Sequence, residues 1–214
     1  MPELSYQTVT PLLLNVLKEC MASRLFDPFR LVGGTALSLQ RGHRFSRDLD
    51  LFTDSPYQSI DFVAIDNWFR TNFPYVQSQD VLPVGMGKPY FIGEDQENCI
   101  KLDLYYTDAF MDDMVKVDGI RLASIREIIA MKLDVIVRDG RKKDFWDIHE
   151  LLEDYSLDEM LDLHKQRYAY SHDRNLLISK LTDFRLADDD FEPYCLKGKH
   201  WELIKLDLIT FVTS

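Results

Sequence analysis

The stretch that most constrains the fold is a short alternating segment in the first quarter of the chain. Residues 48–52, Asp-Leu-Asp-Leu-Phe, alternate between acidic and apolar side chains with the two-residue period of a β-strand. That period places Asp48 and Asp50 on one face of the strand and Leu49 and Leu51 on the other. Because the leucine face requires a hydrophobic core, the two carboxylates lie side by side on the opposite face. Two such carboxylates repel each other unless a cation such as Mg²⁺ lies between them, so this segment is a candidate metal site.

A pair of glycines precedes this strand by a thirteen-residue spacer. The apolar run at residues 29–32 ends at Gly33 and Gly34, and a short amphipathic helix follows. A Gly-Gly turn at the start of a helix lets backbone N–H groups approach a phosphate closely, helped by the helix dipole. The sequence therefore predicts a strand–turn–helix–strand unit that seats a nucleotide phosphate beside the metal held by Asp48 and Asp50. The alternative is an ordinary turn and two surface carboxylates, but the combination favours the functional interpretation.

Composition excludes several other classes of protein. The chain has 214 residues, 46% of them hydrophobic and 12% aromatic, which is typical of a globular protein. A net charge of −11 argues against broad, non-specific attraction to nucleic acid, although a local basic cleft remains compatible with it. Three scattered cysteines without a C-x-x-C pair indicate reduced thiols and no zinc site. With no signal peptide and no apolar run of membrane-spanning length, we expect a cytoplasmic protein without a membrane partner.

The remaining periodicity predicts a mixed sheet followed by helices, an α/β (α+β) fold class. Strands are predicted at 81–84, 89–92, 99–106 and 115–117, and helices from residues 11, 59, 124, 143 and 156 onward. Asp118-Gly119 between two alternating segments predicts a β-hairpin. Ser124 and Glu127 form a capping box at the point where strand periodicity gives way to helix. We therefore expect a core at residues 1–123 and a helical part at 124–214 packed on it.

The string GGTALSL…GHRFSRDLDLF resembles the nucleotidyltransferase toxins of the AbiEii/AbiGii type, within the polymerase-beta-like nucleotidyltransferase superfamily. The superfamily pattern is hydrophobic-Gly-Gly/Ser, a spacer of about this length, then Asp-hydrophobic-Asp-hydrophobic. The match is specific over residues 31–52 and extends less specifically to 101–106 and 128–152. The resemblance implies a nucleotidyltransferase core with a mixed twisted sheet flanked by helices and a C-terminal helical bundle. It also implies that Thr35 and Ser46 join the two glycines in binding the nucleotide, although a turn or cap role suits Ser46 equally well.

A further acidic residue lies on the predicted strand at 99–106. Alternation there places Lys101, Asp103 and Tyr105 on one face. The resemblance implies a third carboxylate on a neighbouring strand, which serves as a metal ligand or as the base for the attacking hydroxyl. Asp103 is the candidate for both roles, and a solvated strand face is the alternative.

The helical part contributes candidates through the resemblance alone. In these toxins a lysine on a helix, and an aspartate in a later basic-Asp-x-x-Asp string, are functional residues. Lys132 matches the lysine, as a catalytic cation on the nucleotide phosphates. Asp144 is the chosen aspartate, with Asp147 one turn away as its substitute. The alternative interpretation is a salt-bridged helix pair that joins the two parts of the chain.

Basic residues occur in two places where phosphates would need them. His43, Arg44 and Arg47 lie in the loop before the acidic strand, where they either face a triphosphate or are solvated. Four more cations, at Arg138, Arg141, Lys142 and Lys143, are candidates for a local basic groove.

The expected reaction is Mg²⁺-dependent transfer of a nucleoside monophosphate from an NTP to an acceptor hydroxyl, through one ion or a two-ion site. The resemblance implies the toxin of a toxin–antitoxin or phage-defence system, with RNA or tRNA as the acceptor and an antitoxin protein as a partner. Two alternatives remain open. A small-molecule nucleotidyltransferase, as in antibiotic resistance, would share the catalytic set, and a non-catalytic nucleotide-binding or interaction module would share the fold.

Overall fold

The computed structural model describes residues 3–79 and 85–213. The helices in this part of the chain are Pro11–Ala22 (α1), Gly33–Arg41 (α2), Phe62–Asn72 (α3), Ile125–Val137 (α4), Lys142–His149 (α5), Leu157–Arg167 (α6), Arg174–Leu181 (α7) and Trp201–Thr213 (α8). The strands are Arg30–Leu31 (β1), Asp48–Thr53 (β2), Tyr75–Ser78 (β3), Gly87–Gly93 (β4), Cys99–Tyr106 (β5), Val115–Val117 (β6) and Ile120–Leu122 (β7). A mixed sheet with helices packed on it confirms the predicted fold class.

The seven strands form one sheet in the order β3-β4-β5-β2-β1-β7-β6. The central strand β2 runs antiparallel to β1 and parallel to β5. The register of the parallel pair places Asp50 opposite Asp103 and Asp48 opposite Lys101. Because strand residues in register point to the same face of a sheet, the acidic face of β2 continues onto β5.

Local signals fix the ends of several elements. Thr10 accepts a hydrogen bond from the backbone N–H of Leu13 and so caps α1, and Ser124 caps α4 in the same way. The predicted hairpin is confirmed, because β6 and β7 pair antiparallel around Asp118 and Gly119. These two residues have φ angles of 52° and 79°, the left-handed values that a tight two-residue hairpin turn requires.

The predictions differ from the structure at the edge of the sheet. Strand β3 was not among the predicted strands, since its largely half-exposed side chains lack the alternation of a strand with one buried face. The predicted strand at 81–84 lies outside the described residues. Helix α3 begins at Phe62 instead of residue 59, because the Asp61 side chain accepts a hydrogen bond from Ala64 N–H and caps the helix there.

One continuous hydrophobic cluster spans the described residues. Leu49 and Leu51 of β2 are fully buried in it, and both α1 and α2 contact this strand. Helix α4 contacts α2 and three later helices, α5, α6 and α7, so it links the sheet region to the C-terminal helices. The division into residues 1–123 and 124–214 stays a prediction. Among the described residues, no helix combines the length and the apolar character needed to cross a bilayer.

Candidate active site

Strands β2 and β5 bring the three predicted metal ligands to one face of the sheet. Burial, followed by the repulsion of the Asp103 carboxylate, raises the pKa of Asp50 to about 6. Asp103 Oδ2 accepts a hydrogen bond from Lys101 Nζ at 2.6 Å. Its Oδ1 is buried and has no hydrogen-bond partner among the described residues. Asp48 lies two residues before Asp50 on the same face.

The turn at Gly33 lies directly against this carboxylate pair. Gly33 has a φ of +67°, and a Cβ at this position would lie 2.7 Å from Asp50 Oδ2. The Val32 N–H donates to the Asp50 carbonyl at 2.9 Å, which holds the start of α2 beside β2. Glycine is required at residue 33 both for its backbone conformation and for the approach of Asp50.

Gly34 makes room for a different group. A Cβ there would overlap the Arg44 guanidinium and lie 3.4 Å from Asp147 Oδ2. The second glycine thus lets a buried ion cluster pack under the first turn of α2. Its predicted contact with a nucleotide phosphate stays a prediction.

The hydroxyl groups of Thr35 and Ser46 are buried and bonded to each other. Their oxygens lie 2.7 Å apart, and Thr35 also donates to the backbone carbonyl of Asp48. These contacts tie the start of α2 to the start of β2. The structure therefore gives both residues a role in positioning Asp48, and their binding of a nucleotide stays a prediction.

Asp147 is the centre of the buried ion cluster. Its side chain is fully buried, and Arg44 donates to its two oxygens at 2.6 and 2.8 Å. His43 Nε2 lies 2.8 Å from Oδ1, and Lys132 Nζ lies 2.7 Å from Oδ2. Burial alone would raise the pKa of Asp147, but the charges of Arg44 and Lys132 hold it well below its usual range. His43 and Arg44 are thus neither solvated nor directed at a triphosphate, because both are committed to Asp147.

Lys132 also contacts the other candidate aspartate. Its Nζ lies 2.6 Å from Asp144 Oδ1, while Asp144 Oδ2 accepts the backbone N–H of Arg141 at 2.9 Å and so caps α5. The structure therefore contains the salt-bridged helix pair of the alternative interpretation. Lys132 still acts on the carboxylate pair, because its charge lowers the pKa of Asp50 against the larger effect of burial. The catalytic roles of Lys132 and Asp144 stay predictions.

A cavity of about 460 Å³ opens beside Asp48. Residues 44–48 line one side of it, and residues 190–194, with Arg141 and Lys143, line the other. Sequence reasoning did not identify segment 190–194 as part of a site. Main-chain hydrogen bonds to the loop before β2, such as Phe45 N–H to the Tyr194 carbonyl at 2.9 Å, position this segment, and no local pattern encodes them.

The four cations of the predicted basic groove do not form a surface of free positive charge. Arg138 and Arg141 are each in an ion pair with an aspartate, and Lys142 is buried. Lys143 lies 3.5 Å from Asp48 Oδ2. Asp190, the partner of Arg141, neutralises part of this surface.

No ready-made metal cluster is present in the described part of the chain, in the sense of three or more His, Cys, Asp or Glu side chains arranged around one point. The carboxylates of β2 and β5 have the chemistry of a cation site. The charges of Asp50 and Asp103 repel each other, and Oδ1 of Asp103 has no hydrogen-bond partner in the described chain. The side-chain ammonium of Lys101 pairs with Asp103, and that of Lys143 pairs with Asp48.

Substitution of Gly33 by alanine is expected to reduce nucleotidyl transfer at least about a hundredfold, because the new Cβ displaces Asp50. The matched control is Gly119→Ala, since Gly119 also has a positive φ, of +79°, but has no atom within 4 Å of the added Cβ. Both variants bear a similar backbone strain of about 1 kcal/mol, which a thermal melt measures. Equal activity of the two variants would contradict the close contact between Gly33 and Asp50.

Comparisons with known proteins agree with this geometry. The family model "Nucleotidyl transferase AbiEii toxin, Type IV TA system" matches residues 15–213. An uncharacterised protein of Aquifex aeolicus is 31% identical over 192 residues, which cover 84% of this chain and 87% of that protein. The structure of JHP933 from Helicobacter pylori is similar with a TM-score of 0.58 and 25% identity, over 99% of this chain and 92% of that one.

The nucleotidyltransferase toxin MenT4 from Mycobacterium tuberculosis shares the fold, with a TM-score of 0.57 and 15% identity, over 94% of this chain and 83% of that one. These matches confirm the family resemblance that residues 31–52 predict. The chain belongs to the AbiEii nucleotidyltransferase toxin family.

Proposed function

We propose that the protein transfers a nucleoside monophosphate from an NTP to a hydroxyl group of RNA, with Mg²⁺ as the cofactor, and that this activity makes it a toxin. The observation that carries the proposal is the register of β2 and β5. It places Asp50 opposite Asp103, with the Gly33 turn against Asp50. Carboxylates beside a helix N-terminus suit a substrate that combines phosphates with a divalent cation.

The carboxylates present fit a divalent cation. The raised pKa of Asp50 reflects burial and the repulsion of the Asp103 charge, and Asp103 retains one oxygen with no partner in the described chain. Carboxylate oxygens are the ligands that Mg²⁺ prefers. Asp48, Asp50 and Asp103 would hold the cation, which when bound polarises the phosphoryl oxygens and offsets the charge that develops on them.

The first turn of α2 is suited to bind the phosphates. Its N-cap residue is Val32, whose side chain cannot accept a hydrogen bond, so the N–H groups of Gly33, Gly34 and Thr35 are not capped. Such N–H groups, together with the helix dipole, favour an anion. In the proposed reaction this turn orients the triphosphate, while Asp103 or Asp48 accepts the proton of the attacking hydroxyl.

Lys132 has an electrostatic role in this proposal. Its ammonium is held by Asp144 and Asp147, so it is not free to follow a phosphate. Its charge nevertheless favours the ionised form of Asp50. We assign it the task of keeping Asp50 ionised and the field at the phosphates positive.

The proposal is tested by incubation of the protein with each labelled NTP, Mg²⁺ and total cellular RNA. We expect label to move to RNA from one preferred NTP, and EDTA to abolish the transfer. A parallel incubation with small hydroxyl compounds tests the antibiotic-type alternative, which label on those compounds alone would support. If isothermal titration detects no Mg²⁺-dependent NTP binding, the enzyme proposal is wrong and the non-catalytic module is supported. If the protein is a toxin with an antitoxin partner, its expression alone should arrest growth.

A further inference from the structure

Two aromatic side chains project into solvent at the mouth of the cavity beside Asp48. Phe191 is 91% exposed and Tyr194 is 70% exposed, and both line that cavity. We call this pair the aromatic rim. Large rings this exposed gain little from the protein's own core, and adjacent exposed apolar side chains commonly mark a binding surface.

The aromatic rim is held in place relative to β2. The Tyr194 carbonyl accepts the N–H of Phe45, and the two rings pack edge to face with centroids 6.4 Å apart. An isolated β-bridge between Arg44 and Cys195 continues the same contact. Tyr194 is thus anchored in the cavity wall that also contains Asp48, and Phe191 lies three residues before it in the same segment.

Positively charged side chains line the same cavity as the aromatic rim and Asp48. Arg47 is exposed and has no acidic partner among residues 3–79 and 85–213. Lys143 Nζ lies 3.5 Å from Asp48 Oδ2, and both side chains are partly exposed, so this weak ion pair leaves the Lys143 ammonium accessible to a phosphate. The acidic side chains on this wall are Glu192, which is exposed, and Asp190, which Arg141 pairs at 3.1 Å through two nitrogens.

Aromatic faces with an unpaired arginine beside them recognise a nucleobase joined to a phosphate. Two sources of that chemistry exist, the NTP and the RNA acceptor. The N-terminus of α2 and Gly33, which suit the triphosphate, lie against Asp50, whereas the rim lies beside Asp48 and faces open solvent. A polymer that enters from solvent needs such an open approach, and this arrangement favours the acceptor.

We propose that the aromatic rim stacks unpaired bases at the end of the RNA acceptor, that Arg47 contacts their phosphates, and that the terminal hydroxyl then points into the cavity toward Asp48. This inference rests on the proposed transfer to RNA and goes beyond it by assigning the surface that holds the end of the acceptor.

The test uses binding instead of turnover. The full chain carrying Asp50→Asn is titrated with a fluorescent single-stranded RNA with a free 3′ hydroxyl, with and without Phe191→Ala and Tyr194→Ala. We expect the Kd for RNA to rise at least about tenfold on loss of the two rings. The Kd for the NTP, measured with Mg²⁺ in protein that keeps Asp50, should not change on loss of the two rings. The aromatic replacements Phe191→Trp and Tyr194→Phe should restore RNA affinity, which a purely apolar surface would not require.

Leu186→Ala is the matched control, because Leu186 is also an exposed apolar residue, at 64%, but lines a separate cavity. An unchanged Kd for RNA, an equal loss in Leu186→Ala, or a loss of NTP affinity with RNA affinity intact would overturn the proposal. Should the double variant fail to fold, Phe191→Leu, which keeps an apolar side chain without a ring, decides the question in the same titration.

Failure of the proposed function gives a different result. If the wild-type protein transfers no label but its RNA affinity depends on the rim, the transfer reaction is wrong and the RNA site stands. If label reaches RNA with the same KM in wild type and in Phe191→Ala with Tyr194→Ala, the reaction stands and the rim is wrong.

Discussion

Nucleotidyl transfer should fall about a thousandfold when Asp50 is replaced by asparagine, because the amide keeps the shape of the side chain but not the charge that a divalent cation requires. Asp50 is the carboxylate that lies both against Gly33 and opposite Asp103, so no neighbour is placed to substitute for it. The measurement is kcat for label transfer at saturating NTP and Mg²⁺. Asp113→Asn is the control, since Asp113 is an exposed aspartate that lies outside both strands.

The same substitution should raise the free energy of unfolding although it lowers activity. The pKa of Asp50 is about 6 in the folded protein, above its ordinary value, because of burial and of Asp103. The folded state therefore holds this proton more tightly than the unfolded state, and the free energy of unfolding should fall as the pH rises from about 4 to about 6. Asp50→Asn removes this penalty, on the order of 3 kcal/mol, above pH 6 in metal-free buffer.

Mg²⁺ separates the two effects. It should raise the melting temperature of the wild-type protein, because it offsets the repulsion between Asp50 and Asp103, and should not raise that of Asp50→Asn. Undiminished transfer by Asp50→Asn would contradict the assigned site. A stability that does not depend on pH between 4 and 6 would contradict the charge repulsion.

Replacement of Asp147 by asparagine should lower the free energy of unfolding by about 3–5 kcal/mol, the usual cost of removing one partner from a buried ion pair. Asp147 accepts from Arg44, Lys132 and His43 at 2.6 to 2.8 Å while fully buried. Without the negative charge of Asp147, the buried cations Arg44 and Lys132 have too little negative charge near them. Urea denaturation followed by circular dichroism measures the effect.

The exposed pair between Arg41 and Asp154 provides the control. Its nitrogen and oxygen lie 2.6 Å apart, yet both side chains are substantially exposed, so Asp154→Asn should cost no more than about 1 kcal/mol. Asp144→Asn should lie between the two, because Lys132 would keep Asp147 as a partner while one amide oxygen replaces the two carboxylate oxygens that accept from Lys132 and from the Arg141 N–H. A stable Asp147→Asn protein that lacks activity would show instead that Asp147 acts in the reaction.

The pH dependence of this contribution has the opposite sign to that of Asp50. The charges of Arg44 and Lys132 outweigh burial and hold the pKa of Asp147 well below its ordinary value. Its contribution to stability is therefore complete above about pH 4 and is lost as the pH falls further. The difference between wild type and Asp147→Asn should shrink in strong acid.

Patterns within a few residues predicted much of the fold. The hairpin at Asp118-Gly119 and the cap at Ser124 depend on neighbours two or three positions away, and the structure contains both. Strand β5 was predicted with its observed bounds because its alternation is complete, whereas β3 at the edge of the sheet has none to detect. The Gly-Gly turn before β2 also followed from residue order alone.

What the sequence determined by itself is the direction of side chains within each element. The two-residue period of a strand places Asp48 and Asp50 on one face whatever the rest of the chain does. Only the tertiary structure decided which groups meet there. Parallel pairing set Asp103 opposite Asp50, and a contact across 103 positions committed Arg44 to Asp147. Such contacts depend on how whole elements pack. The local conformational preferences of a residue do not indicate which distant residue it will contact.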